Sequence, residues 1–227
     1  MDEESKAIPE IAKTTGKAID AARDFGGFIA KYISGSVEQA FGIVEDKLIY
    51  TRWERQVRLM QRADLFLKRV GLSCPTREVP LKVMIPLLQG ATLEEDDDLQ
   101  DRWAILLVNA ANAEFPIEIR RAYLNILEQL SPLEVRILDN IYALPFSKMQ
   151  HDGVATLYLP DSVSFASPLG GSNFPAPDES IQLALGNLAR VGCIRLSTTW
   201  GGGESFGRIL PTILGHAFVS VCRIPEA

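Results

Sequence analysis

The chain has 227 residues, of which 47% are hydrophobic and 23% charged, and its formal net charge is −6 at pH 7. This composition is ordinary for a globular protein and excludes global disorder, and the length allows one large domain or two modest ones. A protein that coats nucleic acid would carry the opposite charge, because neutralising phosphates supplies most of that affinity.

The cysteines Cys74, Cys193 and Cys222 lie far apart and show no C-x-x-C spacing. We therefore predict no disulfide framework and no zinc site. The pattern favours a protein of a reducing compartment. The first ten residues are acidic, which is atypical of a secretory signal, and the chain has no apolar run long enough for a transmembrane helix. We expect a soluble cytoplasmic protein, with peripheral contact at the inner membrane as the alternative.

Residues 1–50 are predicted to form an amphipathic helical segment, because apolar or small residues recur at steps of three and four. Glycines within the segment predict one or two breaks. Its apolar side offers a face for a membrane or a partner. Core packing is the favoured interpretation, since the segment is net acidic and interfacial helices are typically basic. The residues of this candidate face are Phe28, Ile29, Tyr32, Ile33 and Phe41.

Residues 51–130 are predicted to form an α-helical domain whose charges are segregated. Residues 47–70 carry seven basic and two acidic side chains, and an acidic run follows further along. Consecutive acids fan out around a helix and favour its N-terminus, so we expect no metal site there. We hypothesise instead that the basic face meets the acidic run, within one chain or between copies. The candidate interaction residues are Arg52, Arg55, Arg58, Arg62, Glu94, Glu95, Asp97, Asp98 and Asp101.

Four helices are predicted in this domain. The first covers 46–70, and Gly71 ends it. The second starts at Leu81 and ends at Gly90. The third begins with Thr92-Leu93-Glu94-Glu95, which has the pattern of a capping box. The fourth has Pro116 in its first turn and runs to about residue 129.

Residues 131–227 are predicted to form a winged-helix-like α+β domain. Because this domain follows an N-terminal helical domain, the expected fold class of the chain is mainly α. A second capping box, Ser131-Pro132-Leu133-Glu134, starts the domain. Residues 145–177 are interpreted mainly as a long connection with one strand-like run, because they are rich in Pro, Gly and Ser. A helix over 178–192, two strands around Gly201-Gly202-Gly203 and a final helix from Thr212 complete the pattern.

DNA binding is disfavoured for this domain but stays open as an alternative. The helix in the recognition position begins with Asp178 and Glu179. Base contacts are normally made from that end of the helix, and they need several Arg, Lys, Asn or Gln side chains. The preferred interpretation is that the domain packs against a protein partner or a second copy.

The sequence predicts no enzyme. It has two histidines, His151 and His216, and neither has a metal-ligand partner at helical spacing. It contains no nucleophile elbow, P-loop or dinucleotide fingerprint, and the glycine run at 201–203 lacks the Lys-Ser/Thr pair of a phosphate loop. We predict no catalytic residue, no cofactor, no metal and no small-molecule substrate.

The stretch from Arg52 to Asp139 resembles the Abi-alpha (abortive infection alpha) family of bacterial proteins. The run Trp103-Ala104-Ile105-Leu106-Leu107-Val108-Asn109-Ala110 and the second capping box are its most distinctive parts. Further matching segments are Arg52-Trp53-Glu54-Arg55, Pro80-Leu81-Lys82, Ile85-Pro86-Leu87-Leu88, Leu93-Glu94-Glu95-Asp96-Asp97 and Leu99-Gln100-Asp101-Arg102. The resemblance implies a role in defence against phage, and it brings no catalytic residue or cofactor.

The function expected from these observations is non-enzymatic antiphage defence through protein–protein contacts. Two alternatives stay open. One is a winged-helix regulator that binds DNA, and the other is an effector that perturbs a membrane through the N-terminal helix.

Overall fold

The structure is a computed structural model that describes residues 23–33, 53–166, 174–199 and 201–224. These residues are mostly helical, with one small antiparallel sheet. They divide into two compact units, of which the first ends at Leu124 and the second spans Asn125–Arg223. The mainly α class is thereby confirmed, whereas the division into 1–50, 51–130 and 131–227 stays a prediction.

The first unit is built from helices. Helix α1 covers 23–30, α2 Trp53–Arg69, α3 Leu81–Leu93 and α4 Asp97–Ala111; the short α5, Arg121–Leu127, includes the boundary residue. Gly71 has φ +76° directly after α2, and this left-handed conformation ends the helix as predicted. Residues 46–52 of the predicted first helix lie outside the described residues.

Helix α4 carries the core of the first unit. Trp103 is the largest of the fully buried side chains in the described residues. Its ring lies against Gly90 of α3, where an added Cβ would come within 2.5 Å of the ring. Gln100, also fully buried, donates from Nε2 to Ala91 O at 3.2 Å and to Arg55 O at 3.3 Å. These bonds join α2, α3 and α4.

Two predicted helix boundaries in this unit are wrong. Helix α3 runs past Gly90 to Leu93, because the glycine lets the Trp103 ring approach the helix closely. The predicted capping box at 92–95 does not form: the Thr92 hydroxyl donates to Leu88 O inside α3. Asp96 caps α4 instead, and its Oδ1 accepts from the backbone N–H groups of residues 98 and 99, each at 3.0 Å.

The helix predicted from Pro116 is also shorter than expected. Residues 116–120 are not helical, and α5 begins at Arg121. Proline suits a first helical turn but does not impose one.

The second unit combines helices with a four-stranded sheet. Its elements are α6 Pro132–Ile141, α7 Phe146–Asp152, β1 Val154–Ala155, β2 Ser164–Phe165, α8 Glu179–Arg190, β3 Ile194–Thr198, β4 Glu204–Pro211 and α9 Ile213–Val221. The strands are antiparallel in the order β2-β1-β4-β3. The capping box at the start of α6 is confirmed, with Ser131 N donating to a Glu134 carboxylate oxygen at 2.6 Å.

The prediction of a long connection over 145–177 is wrong in part, because α7 and β2 lie within it, whereas β1 falls in the predicted strand-like run of residues 154–159. Helix α7 has only seven residues, and β1 and β2 have two each. Elements this short do not generate a readable hydrophobic period. The predicted strand-like run from Val154 pairs with β4 only at residues 154 and 155.

The hairpin and the last helix form as predicted. Strands β3 and β4 pair across a turn that is closed by bonds between Thr199 and Gly203, and Gly202 has φ +81° in it. Thr212 caps α9, since its Oγ1 accepts from Gly215 N at 2.9 Å. Gly215 is required there, because a Cβ would lie 2.1 Å from Cys193 O.

A buried tyrosine fastens this end of the sheet to α6. The Tyr142 hydroxyl donates to Cys193 O at 2.6 Å and accepts from Thr212 N at 3.0 Å. Burial raises the pKa of the Tyr142 hydroxyl to about 12 and that of the Cys193 thiol to about 12. Both groups are therefore neutral and structural at physiological pH.

Candidate interaction surfaces

Ion pairs join α2 to the N-terminal turn of α4. Arg58 pairs with Asp97 and Arg62 with Asp101, and Arg62 Nη2 also lies 3.5 Å from Asp97 Oδ1. The hypothesised contact between the basic face and the acidic run therefore exists, and it forms within one chain. Burial lowers the pKa of the Arg62 guanidinium, and the charge of Asp97 opposes that shift.

The other predicted interaction residues that the structure describes do not join these pairs. Arg55 contributes its backbone carbonyl to Gln100, and it forms no ion pair within the described part of the chain. Glu94 folds back on its own backbone, accepting from the N–H groups of Glu95 and Asp96 at 2.9 Å. Glu95 and Asp98 are exposed, and Arg52 lies outside the described residues.

The acids of this run do not converge on a point. Among the described residues, no group of three or more His, Cys, Asp or Glu side chains is arranged to hold a metal ion. The structure describes all three cysteines and joins none of them in a disulfide; Cys74 is exposed, and Cys193 and Cys222 are buried.

The candidate membrane or partner face is buried. Phe28, Ile29, Tyr32 and Ile33 are each less than a tenth exposed, and Phe28 packs on Tyr32 with ring centroids 4.9 Å apart. The Tyr32 carbonyl accepts from Val79 N at 2.9 Å, which ties the end of this segment to the chain before α3. These four side chains are therefore core residues here, as the favoured interpretation expected. Phe41 lies outside the described residues.

Within the described ranges, every helix is too short or too polar to cross a bilayer.

Helix α8, in the recognition position of the expected winged helix, uses its polar side chains within the second unit. Asn187 Nδ2 donates to Glu134 Oε1 at 2.6 Å and to Gln129 O at 3.0 Å. Arg190 Nη1 donates to Gln129 Oε1 at 2.9 Å and its other nitrogens to Asn187. Leu183, on the same helix, is 71% exposed. The side chains of Asn187 and Arg190 therefore direct their hydrogen-bond donors to residues of the second unit itself.

A groove of about 410 Å³ opens beside the start of α9. Its lining residues are Phe146, Gln150, Arg195, Pro211, Thr212 and Ile213. The Phe146 ring stacks on the imidazole of His216, with centroids 4.3 Å apart and planes 20° apart. Ile213 is 78% exposed. The groove therefore combines an aromatic and aliphatic wall with one guanidinium and one carboxamide.

Sequence reasoning did not find this groove. Its residues come from α7, β3, the end of β4 and the start of α9, so they are separated by up to 67 positions along the chain. His216, for which the sequence offers no metal-ligand partner, stacks on Phe146, which lines the groove.

The comparisons with known proteins give one match. No curated protein and no solved structure matches the chain. The model of the family described as abortive infection alpha matches residues 54–222, which cover parts of both compact units and more than half of the chain. This match confirms the resemblance found in the sequence. The chain belongs to the abortive infection alpha (Abi-alpha) family.

Proposed function

We propose that this protein acts in abortive infection as a non-enzymatic component that works through contacts with a protein partner, in the cytoplasm. Family membership supports the biological role. The mode of action is supported by helix α8, whose Asn187 and Arg190 side chains are bound to the second unit itself. A surface with its donors engaged and Leu183 exposed suits a protein partner better than a base edge.

The second unit is proposed to be a winged-helix module. The element order helix, helix, two short strands, helix, two strands, helix supports this assignment, as does the pairing of the short β1 with β4 beside the β3–β4 hairpin. In this proposal the hairpin is the wing and α8 occupies the recognition position. The module serves as a contact platform rather than as a reader of DNA.

Phage plating on cells with and without the gene tests the role. Abortive infection predicts that the gene lowers the efficiency of plating of at least one phage in a broad panel. Equal plating across the panel would refute the proposal.

The mode of action is tested with purified full-length protein. We expect no retention on duplex DNA at physiological salt and no flotation with liposomes of bacterial lipid composition. Retention on DNA would favour the winged-helix regulator, and the charge reversal Arg190→Glu would then be expected to abolish it. Flotation would favour the membrane effector, which requires release of the buried face around Phe28.

A further inference from the structure

We infer that the groove beside α9 binds a short segment of a partner protein in which a carboxylate side chain lies next to a bulky apolar side chain. This inference rests on the proposed function and gives its contact a place and a chemistry. The groove volume of about 410 Å³ lies in the range of pockets that enclose a small ligand. It therefore suits a few residues rather than a folded surface.

The apolar half of the segment would meet the aromatic wall. Phe146 is held in place by its stacking on His216, and Pro211 adds a rigid apolar side. Ile213 begins α9 and leaves most of its side chain in solvent. A single exposed aliphatic residue is ordinary, but here it lines a concave site together with an aromatic ring. Covering it would remove apolar surface from water.

The charged half of the segment would meet Arg195. This side chain is exposed on β3, and it forms no ion pair with any acid in the described ranges. None of the groove's lining residues is acidic. A guanidinium binds a carboxylate through two parallel hydrogen bonds, which gives the contact direction as well as affinity. The neighbouring Gln150 supplies a further donor and acceptor.

The charge of the groove also decides between classes of partner. One guanidinium is enough for one carboxylate, whereas a nucleic acid needs several cations along its backbone. The positive charge of Arg195 complements an acidic segment at the groove itself, whereas the net charge of the chain is −6.

The test uses the full-length ¹⁵N-labelled protein and three blocked tetrapeptides. The probe is acetyl-Gly-Asp-Phe-Gly-amide, and the controls carry Asn in place of Asp or Ser in place of Phe. We expect the probe to shift the backbone amide signals of Gln150, Arg195 and Ile213. The Asn peptide should bind at least about tenfold more weakly, because a charge-assisted hydrogen bond is lost. Shifts confined to other regions, or equal binding of all three peptides, would overturn the inference.

Variants assign the two halves of the site. Arg195→Gln should weaken binding of the Asp peptide at least about tenfold and leave the Asn peptide unaffected. Ile213→Ser should weaken both peptides. Matched controls are Arg136→Gln and Leu183→Ser, which replace an exposed arginine and an exposed leucine outside the groove. If a control weakened binding as much as its groove counterpart, the groove would not be the site.

Two further outcomes separate this inference from the proposed function. If the wild-type chain restricts phage and both groove variants restrict it equally, the inference fails and the proposed function stands. If the peptides bind as expected and the wild-type chain restricts no phage, the groove stands and the proposed function fails. Shifts of the groove signals with protein concentration alone would identify a second copy as the occupant and overturn the assignment to a separate partner.

Discussion

The hydroxyl of Tyr142 offers a sharp test of how the second unit is held together. In Tyr142→Phe the ring is kept and only the oxygen is lost. The Thr212 hydroxyl lies 2.7 Å from the Gly192 carbonyl and 3.0 Å from the Cys193 carbonyl, so the Cys193 carbonyl keeps a shared donor. The Thr212 N–H loses the acceptor that lay at 3.0 Å. One half-buried donor is thus left without its protein partner, which costs up to about 1–3 kcal/mol of unfolding free energy.

Two measurements check this value. Urea unfolding gives the total loss of stability, and hydrogen exchange of the Thr212 amide gives the local one. Exchange at that amide should accelerate roughly 5- to 150-fold, the range that corresponds to the same free energy. The control is Tyr158→Phe, whose ring is 69% exposed and which should change neither quantity. Unchanged exchange at Thr212 in Tyr142→Phe would refute the proposed role of the hydroxyl.

Three more predictions follow from the packing and the charges. Gly215→Ala should destabilise the protein by about 1–3 kcal/mol through overpacking. Gly186→Ala should stabilise it by about 0.4–1 kcal/mol, because no atom lies near the position of the added Cβ. Urea unfolding of both variants distinguishes the two signs. Because the pKa of the Cys193 thiol is raised in the folded state, the stability that the protonated thiol contributes is complete below about pH 9 and is lost as the pH rises toward about 12. Urea unfolding of the wild type and of Cys193→Ala at pH 8 and pH 11 measures this loss. A double-mutant cycle of Arg62→Gln and Asp101→Asn should give a coupling of about 1 kcal/mol or less that shrinks in 1 M salt, and a salt-independent coupling would contradict an ionic origin.

Local chemistry made part of the fold predictable. Ser131 and Glu134 satisfy each other's neighbouring backbone donors, so their spacing alone indicates a helix start. Thr212 caps the last helix for the same reason. The glycines around 201–203 predicted the hairpin, because a tight turn needs a residue that adopts positive φ, and Gly202 does so.

Where tertiary contacts decide, sequence patterns failed. Thr92 and Glu95 have the spacing of a capping box, but the Thr92 hydroxyl finds an acceptor inside its own helix and Asp96 takes the capping role. Gly90 looked like a helix end because glycine is costly in a helix interior by about 1 kcal/mol. That cost is offset by the close packing of Trp103, which only the three-dimensional arrangement shows.

The candidate sites, like the fold, include one that the sequence pattern predicts and one that depends on tertiary contacts. Charge segregation along the chain predicted that α2 meets the start of α4, and of the three candidate arginines that the structure describes, Arg58 and Arg62 do so. The pattern could not tell which arginines face the acids, since that depends on how the two helices are rotated. The groove beside α9 left no pattern at all, because Phe146, Arg195 and Ile213 are brought together only by the fold.

The central claim is tested most directly by recording the membrane potential with a dye during infection of cells that carry the gene. The yield of phage is measured in the same cultures. Action through a protein partner predicts fewer phage with the membrane potential maintained until the infected cells stop growing. Depolarisation that depends on the gene and precedes growth arrest would contradict the account, because the buried face of Phe28, Ile29, Tyr32 and Ile33 would then have to be released onto the membrane.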